Sequence, residues 1–485
     1  MGKPTTNFHP FKSPFFLKRM SKKSDHERFY WKYWQSGKLP ELDEHSEKKL
    51  DLLRDYLVLY LQIVLKTTAP TGKLVQEITL VDGFAGGGIY DGKKLGSPIT
   101  ILKAVEEAEA LVNQGRDKRM KIVPICYFIE KDPDAFACLE STLKAYNYGD
   151  AIGKSIHLKR DDFEKCVPEI VASINNRHKK GGNRTIFFLD QCGWTEISAA
   201  TIRTLSEQLN NRPEFIVNFA ISWLVDFISE RTQVATSNSL NTLGLDGHVD
   251  IPSMLKLRME LGGKWNHAIE AHIGEGFHKA TGIPFFSPFY IEPKDNHRGY
   301  WILHLAGNAR ARSAMLDIHW SKANRSKHYG NLGYDILSYK PNLDQSSFLE
   351  GMSFDEESKA KCSDILANDL SKLLYDSHEG GVKFGDFVNK ISNKVIASNS
   401  MIEAIVGQLC QGNGFEALCP SGRKKSVAKF DIEDRIIPRR QLIITLGGVP
   451  DAVSARRSKK SKAPKANTQH KEPNNTGSAI STKVY

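Results

Sequence analysis

The chain has 485 residues, of which 40% are hydrophobic and 25% are charged, a composition typical of globular proteins with roughly two to four domains. No stretch of about 18 apolar residues occurs, and the N-terminal segment has no apolar signal-peptide core, so we expect neither a membrane span nor a membrane partner. The seven cysteines include no Cys-x-x-Cys pair. This pattern argues against a metal site and favours reduced thiols in a cytoplasmic protein.

The net charge of +11 is concentrated at the two ends of the chain. Residues 1–40 contain nine Lys or Arg against two acidic residues, and residues 456–485 contain eight against one. Basic ends of this kind commonly contact nucleic acid, but they also occur as solubilising tails, and both interpretations stay open here. Because residues 451–485 are rich in Lys, Ser, Pro and Asn, we expect a disordered basic tail.

Residues 1–70 are predicted to form a basic arm followed by one helix. The helix is predicted over His45–Lys66, because Leu50, Leu53 and Leu57 recur at helical spacing. An apolar stripe of this width indicates that one face of the helix packs against the rest of the protein.

In residues 71–350, apolar strand-like segments alternate with helices, which predicts a Rossmann-like α/β domain with a mostly parallel sheet. The predicted parallel strands are Ile78–Asp82, Ile122–Ile129, Ile156–Leu158, Thr185–Leu189 and Phe215–Phe219. Ser97 is predicted to cap the helix that follows the first strand. Two later segments, Phe285–Ile291 and Tyr300–Ala306, predict an antiparallel hairpin, which Pro288 places at an edge of the sheet. Residues 228–282 are predicted to form a helical insertion.

The pattern of predicted elements changes in residues 351–450 and indicates a winged-helix-like domain. Two helices, Phe384–Ile391 and Ser400–Cys410, precede short extended segments around a basic turn, which is the order of a winged helix. Arg423, Lys424 and Lys425 of that turn are the predicted nucleic-acid contacts. The alternative is that they form a solvated turn.

Acidic residues follow four successive predicted strands: Asp82, Glu130, Asp161 or Asp162, and Asp190. Ligands of open α/β sheets bind at this carboxyl edge. An acid after the second strand can accept the hydroxyls of a ribose, and an acid after the third can accept the amine of adenine. Asp162 alternatively caps the helix that follows it.

The charge of this edge favours S-adenosylmethionine as the cofactor over NAD or ATP. Asp82 beside a glycine loop would repel a pyrophosphate, whereas the ammonium, sulfonium and ribose hydroxyls of S-adenosylmethionine suit carboxylates. The chain also lacks Gly-x-x-x-x-Gly-Lys-Ser/Thr, which excludes a P-loop. The predicted cofactor-binding residues are Asp82, Gly83, Phe84, Gly86, Gly88, Glu130, Asp161 and Asp162.

The segment after the fourth strand supplies the predicted catalytic residues, which are Asp190, Gln191, Cys192 and Trp194. In amino-methyltransferases an acid or amide at this place accepts a hydrogen bond from the target amine, while an aromatic ring stacks on the base. Asp190 and Trp194 fit these two roles. Cys192 is either a nucleophilic thiolate, as in carbon-methylating enzymes, or an inert thiol at the wall of the site.

From roughly Phe16 to Leu442, the chain resembles the three-Cys-motif partner (TcmP) family. The matching segments are Val81–Gly86, Gly96–Pro98, Phe128–Glu130, Phe188–Gly193, Phe215–Phe219 and Tyr300–Leu305 with Met315. The resemblance implies a class I methyltransferase fold, found in bacteria and phages beside a second protein that carries a three-cysteine motif. It implies cofactor contacts at Asp82, Gly83, Gly86 and Glu130, and an active-site position at Asp190. The chain departs from the family at Cys192, where an aromatic residue is usual.

These observations lead to three functional hypotheses. The first is an S-adenosylmethionine-dependent methyltransferase that acts on nucleic acid in a bacterial or phage two-gene system, such as a defence system. The second is a non-catalytic subunit with the same fold that binds a three-Cys-motif protein. The third is a metal-dependent nuclease that uses Asp161, Asp162 and Glu164.

Overall fold

A computed structural model describes the greater part of the chain. The described residues are 38–178, 184–191, 196–219, 233–261, 265–291, 300–321, 327–328, 332–335, 352–377, 380–425 and 429–439.

One large sheet organises the described chain from Val75 to Ser353. Its strands are β1 Val75–Asp82, β2 Lys121–Ile129, β3 Ile156–Lys159, β4 Thr185–Leu189, β5 Glu214–Phe219, β6 Phe285–Ile291, β7 Tyr300–Ala306, β8 Lys327–His328 and β9 Met352–Ser353. Among the described residues, these nine strands pair in the order β3-β2-β1-β4-β5-β7-β6-β8-β9. Strands β1 to β5 are mutually parallel where they pair.

The hairpin of β6 and β7 joins the parallel strands through its second strand. β7 runs antiparallel to both β5 and β6, so Leu303 lies opposite Val217 on one side and Pro288 on the other. β6 pairs with the short strand β8 only at Tyr290, which leaves the position of Pro288 free of a ladder on that side. The predicted mostly parallel sheet with an antiparallel hairpin is therefore confirmed. The hairpin does not form the border of the sheet as predicted, because the two-residue strands β8 and β9 continue the sheet beyond β6.

Helices pack against the sheet and continue into the C-terminal part of the described chain. They are α1 Glu44–Thr68, α2 Ser97–Val112, α3 Pro133–Ala145, α4 Phe163–Arg177, α5 Ala199–Gln208, α6 Gln233–Thr242, α7 Ile251–Leu261, α8 Trp265–Thr281, α9 Ala309–Ser321, α10 Glu356–Tyr375, α11 Phe384–Ile391 and α12 Asn399–Gln411. Short 3₁₀ turns occupy Ala69–Thr71, Asp91–Lys93, Gly149–Ala151 and Ser392–Lys394. Within the described residues, none of the helices combines the length and apolar character needed to cross a membrane.

Both faces of the sheet are covered, because neighbouring residues of a strand point to opposite faces. Leu80 and Phe128 belong to an apolar cluster that includes α1 and α2. Val81 and Tyr127 belong to a second cluster that includes α4, α5 and α8. With both faces buried, the carboxyl ends of the parallel strands form the edge at which a ligand can reach the sheet.

Helix α2 begins one residue earlier than its predicted cap. Gly96 occupies the N-cap position with extended backbone, and Ser97 is the first helical residue, followed by Pro98. The prediction that Ser97 caps this helix is wrong, because its side chain is buried beside Asp82 instead of reaching an amide of the first turn. Proline at the start of the helix costs no hydrogen bond, since that amide has no partner within the helix.

The C-terminal part contains a small second sheet built from β10 Val382–Lys383, β11 Phe415–Leu418 and β12 Arg435–Pro438. β12 lies between the other two strands and is antiparallel to both. α11 and α12 lie between β10 and β11 in the chain. Two buried side chains of α9 tie this part to the large sheet, since Arg312 donates to the Val395 carbonyl at 2.6 Å and Trp320 to the Ile396 carbonyl at 3.0 Å.

Candidate functional site at the carboxyl edge of the sheet

Asp82 lies at the centre of the carboxyl edge. It is the last residue of β1, in register with Phe128 of β2 and Phe188 of β4, and it is fully buried. The Phe84 amide donates to Asp82 Oδ1 at 3.2 Å, whereas Oδ2 has no hydrogen-bond partner among the described residues. Because buried polar atoms are normally hydrogen-bonded, this oxygen marks a point at which a ligand donor is expected.

The electrostatic environment of Asp82 favours its neutral form. Burial raises the pKa of this carboxyl from 3.8 to about 7, and the carboxylates of Asp190 and Glu130 add to the rise. The Ser97 hydroxyl and the Phe84 amide act in the opposite direction. A cation or a hydrogen-bond donor placed at this edge would lower the pKa of Asp82 again and stabilise the ionised carboxylate.

Glu130 connects the end of β2 to the glycine loop. Its Oε2 accepts a hydrogen bond from the Gly86 amide at 2.9 Å, and its Oε1 accepts one from the Asp132 amide at 2.7 Å. Burial raises the pKa of Glu130 to about 7, although both amides act to lower it. Glu130 therefore holds the glycine loop against the end of the neighbouring strand.

The glycine loop itself is closely packed. The Gly83 amide donates to the Phe188 carbonyl at 2.9 Å, and a Cβ on Gly83 would lie 2.9 Å from Leu189 Cδ2. The Gly96 amide donates to the Gly88 carbonyl at 2.9 Å, and a Cβ on Gly96 would lie 2.8 Å from the Gly88 carbonyl carbon. The second half of the loop therefore depends on a glycine at the start of α2.

Backbone conformation gives a second reason for glycine in this loop. Gly86 has a φ of 57° and Gly88 a φ of 72°, in the left-handed region that other residues seldom adopt. Among the described residues other than its chain neighbours, no atom lies within 4 Å of the place where a Cβ on Gly86 would stand. That open space beside the Glu130 carboxylate is what a ligand needs to approach the backbone.

Asp190 follows β4 and is the centre of a polar network at the same edge. Lys49 Nζ lies 2.8 Å from its Oδ1 and 3.0 Å from its Oδ2. Asn218, near the end of β5, donates its side-chain amide to Oδ1 at 2.7 Å. Asn218 is buried, and its own Oδ1 has no hydrogen-bond partner among the described residues. The network thus presents a second buried acceptor beside Asp82.

Lys49 and Asn218 are site residues that the sequence predictions did not include. Lys49 continues the inward face of α1, since it precedes the buried residues Leu53 and Tyr56 by four and seven positions. A lysine on the apolar stripe of a helix is a signal that could have identified it. Asn218 interrupts an otherwise apolar buried strand in the same way.

Gln191 has a structural role in the described geometry. Its Nε2 donates to the Asn218 carbonyl at 3.2 Å, and its Oε1 accepts from the amides of Glu196 and Ile197 at 3.0 and 3.1 Å. It therefore holds together the two ends of the loop after β4. Cys192 and Trp194 of the predicted catalytic set lie outside the described residues.

The acids after β3 are exposed and have contacts of their own. Lys165 Nζ lies 3.0 Å from Asp161 Oδ1 and 2.7 Å from Asp162 Oδ2. Asp162 occupies the N-cap position of α4 without a side-chain hydrogen bond to the helix. Glu164 accepts a hydrogen bond from the Thr201 hydroxyl at 2.7 Å. Within the described parts of the chain, no group of three or more His, Cys, Asp or Glu side chains is placed to hold a metal ion.

Two of the three cations predicted to contact nucleic acid are engaged by acidic residues. Lys424 Nζ lies 2.9 Å from Glu416, and Lys425 Nζ lies 2.6 Å from Asp431 and also contacts the buried Asp434. Arg423 donates to the Ser421 hydroxyl at 3.3 Å and is exposed.

No protein-family model and no curated protein matches the chain. Among solved structures, it is similar to a protein assigned as a caffeoyl-CoA O-methyltransferase from Staphylococcus aureus, with 7% identity, a TM-score of 0.24, and coverage of 59% of this chain and 94% of that one. The plantazolicin methyltransferase BamL, in complex with a triazolic desmethylPZN analogue and SAH, matches with 9% identity, a TM-score of 0.22, and coverage of 54% and 88%. A protein assigned as a sarcosine dimethylglycine methyltransferase from Galdieria sulphuraria matches with 11% identity, a TM-score of 0.22, and coverage of 58% and 98%.

Proposed function

We propose that the chain is an S-adenosylmethionine-dependent methyltransferase whose cofactor and acceptor sites lie at the carboxyl edge of the large sheet. The observation that carries this proposal is the buried Asp82 carboxyl with an unpartnered oxygen, set between Glu130 and Asp190. Three carboxylates at one edge attract a ligand with cationic and hydroxyl groups and repel one with phosphates.

The residues at this edge fit S-adenosylmethionine. Glu130 has its two oxygens beside the glycine loop, where ribose hydroxyls can donate to them. The unpartnered Asp82 Oδ2 and the open space at Gly86 give a ligand both a polar contact and close access to the backbone. When bound, the cofactor supplies a methyl group on a positively charged sulfur.

Asp190 and Asn218 are the proposed acceptor-binding residues. A carboxylate and an amide oxygen at one strand edge can accept hydrogen bonds from an amine and orient its lone pair. Asn218 holds Asp190 by its amide nitrogen and has its own Oδ1 without a partner. These residues would therefore position the acceptor and stabilise the positive charge that develops on it.

Nucleic acid is the proposed substrate class. The C-terminal order of helix, short strand, two helices and two strands, with β12 between β10 and β11, supports a winged-helix assignment. The net charge of +11, carried mainly by the chain ends, supports binding to phosphates. Residues 1–70 are the proposed basic arm and helix, residues 351–450 the proposed winged-helix-like domain, and residues 451–485 the proposed basic tail. We propose that the protein is cytoplasmic and belongs to a bacterial or phage two-gene defence system.

Asp190→Asn tests the catalytic assignment. We expect methyl transfer from labelled S-adenosylmethionine to a mixture of duplex DNA and total RNA to fall at least about 100-fold, because the acceptor loses its anionic partner. Binding of S-adenosylhomocysteine, measured by calorimetry, should weaken by less than about tenfold, far less than turnover, since Glu130 and the glycine loop are unaltered. Asp150→Asn is the matched control on an exposed acid outside the predicted site. Retained turnover in Asp190→Asn would refute the assignment.

The second candidate function is that of a non-catalytic subunit. It is favoured by the hydrogen bonds that Asp190 already makes within the protein. Both oxygens of Asp190 are within hydrogen-bond distance of Lys49, and Oδ1 also accepts from Asn218. Under this hypothesis the fold serves to bind a three-Cys-motif protein from a neighbouring gene. Co-purification of that protein with a chain that binds no S-adenosylhomocysteine would favour this candidate over the enzyme.

A further inference from the structure

Lys49 is a buried cation among the acids of the carboxyl edge. Only 8% of the surface of Lys49 is exposed, because α1 packs its inward face on the sheet. Burial lowers the pKa of Lys49, and the ion pair with Asp190 raises it by more, so the net pKa lies above the ordinary value and the ammonium stays charged. The ammonium also lies 5.6 Å from the centre of the Tyr300 ring, within cation–π distance.

Other lysines that pair with acids near this edge are more accessible, including Lys159 at the end of β3, whose side chain is 27% exposed. The side chains of Lys94, Lys131 and Lys165 are 46%, 43% and 64% exposed, compared with 9% for Lys49. Water screens exposed ammonium groups, whereas a buried one interacts strongly with a ligand charge. Lys49 is therefore the cation best placed to recognise a negative group of a ligand bound at the edge.

An ammonium group has three N–H donors. Among the described residues, the hydrogen bonds of Lys49 Nζ go to the two oxygens of Asp190 alone. Both contacts are with one carboxylate, so the remaining donor can serve a second acceptor without breaking the ion pair. The proposed cofactor carries one negative group, the carboxylate of its methionyl end, and three carboxylates at this edge would repel that group without a cation to receive it.

We infer that Lys49 binds the carboxylate of the amino-acid end of the cofactor while Asp190 holds the lysine in place. This inference rests on the proposed function, because it concerns the same ligand. The site then pairs each charge of a zwitterionic ligand with an opposite one, the acids with the cationic groups and Lys49 with the carboxylate. Helix α1, which precedes the sheet in the chain, becomes part of the cofactor site.

The test removes the carboxylate from the ligand and, separately, the cation from the protein. Calorimetry compares S-adenosylhomocysteine with its decarboxylated analogue, 5′-deoxy-5′-(3-aminopropylthio)adenosine, which keeps the amine. We expect the wild-type protein to prefer the carboxylate-bearing ligand by roughly 10-fold to 100-fold, the range of a hydrogen bond between charged groups. Lys49→Met should bind the two ligands within about twofold of each other, because the carboxylate has lost its partner.

Lys48→Met is the matched control, since Lys48 pairs with Glu44 along the same helix and should leave the preference unchanged. Lys49→Arg keeps the cation and should retain a preference, which provides a result even if Lys49→Met fails to fold. A wild-type protein without the preference, or a Lys49→Met variant that keeps it, would overturn the inference. A wild-type protein that binds neither ligand would instead overturn the proposed function.

Discussion

At the scale of single residues, burial decides what the acids of this protein can do. Asp82 and Asp162 both follow strands at the same edge, yet Asp82 is fully buried with an unpartnered oxygen whereas Asp162 is exposed and paired with Lys165. The sequence placed both at strand ends through the same pattern. Their difference arises because β1 is the central one of the five parallel strands, whereas β3 lies at the border of the sheet.

Asp82→Asn should change the pH dependence of stability. Burial raises the folded-state pKa of Asp82 from 3.8 to about 7, so the folded protein holds a proton that the unfolded chain has released in this interval. Wild-type stability should therefore fall as the pH rises from about 4 to about 7. The Asn side chain cannot ionise, so at pH 8 the free energy of unfolding of the variant should rise by up to roughly 4 kcal/mol relative to wild type.

Urea unfolding at pH 5 and pH 8, without ligand, measures this effect. Asp162→Asn serves as the exposed control and should change the free energy of unfolding by less than about 0.5 kcal/mol at both pH values. An equal response of wild type and Asp82→Asn to pH would contradict the prediction.

At the scale of elements, α1 is anchored by polar side chains as well as by apolar packing. Tyr56 donates its hydroxyl to the buried Glu214 of β5, and His304 Nε2 of β7 lies 3.1 Å from the same hydroxyl. Burial and the Glu214 carboxylate raise the pKa of Tyr56 well above its ordinary value, which keeps the hydroxyl as a donor. Lys49 lies seven residues earlier on the same face and contacts β4 through Asp190, so one helix links three strands.

Tyr56→Phe should destabilise the protein by about 1–3 kcal/mol, because the buried Glu214 carboxylate loses a hydrogen-bond donor that water cannot replace. Equilibrium urea unfolding of the variant gives this value. Tyr375→Phe is a control of the same chemistry, since Tyr375 is 45% exposed and its hydroxyl lies 3.4 Å from the Gly414 carbonyl. Its expected effect is below about 0.5 kcal/mol. Equal losses in the two variants would show that the Tyr56 network adds no stability.

At the scale of the whole molecule, the positive charges differ in how freely they can contact the phosphates of nucleic acid. The excess of Lys and Arg belongs to the two ends of the sequence, whereas Lys424 and Lys425 of the described C-terminal part are paired with Glu416, Asp431 and Asp434. Cations that already have carboxylate partners release few counterions when they meet phosphates. The chain ends should therefore contribute more to nucleic-acid affinity than the basic turn.

Deletion of residues 451–485 should weaken binding to a labelled 30-base-pair duplex by more than about tenfold at 50 mM salt, and it should reduce the dependence of affinity on salt. Fluorescence anisotropy between 50 and 300 mM salt measures both quantities. Replacement of Arg423, Lys424 and Lys425 by alanine is the comparison and should cost less than about threefold. A larger loss in the triple variant than in the deletion would place the contact at the turn.

The sequence by itself determined most of the secondary structure and the edge at which the proposed site lies. Apolar segments, glycines and prolines act over a few neighbours, so β4, the hairpin of β6 and β7, and helix α11 have the predicted bounds. The acids at the strand ends follow from the same local pattern. The tertiary structure alone decided which of them are buried and which partners they have, because Lys49 meets Asp190 across 141 positions and Tyr56 meets Glu214 across 158. Contacts over such separations depend on how strands are ordered and helices packed, which no local pattern encodes.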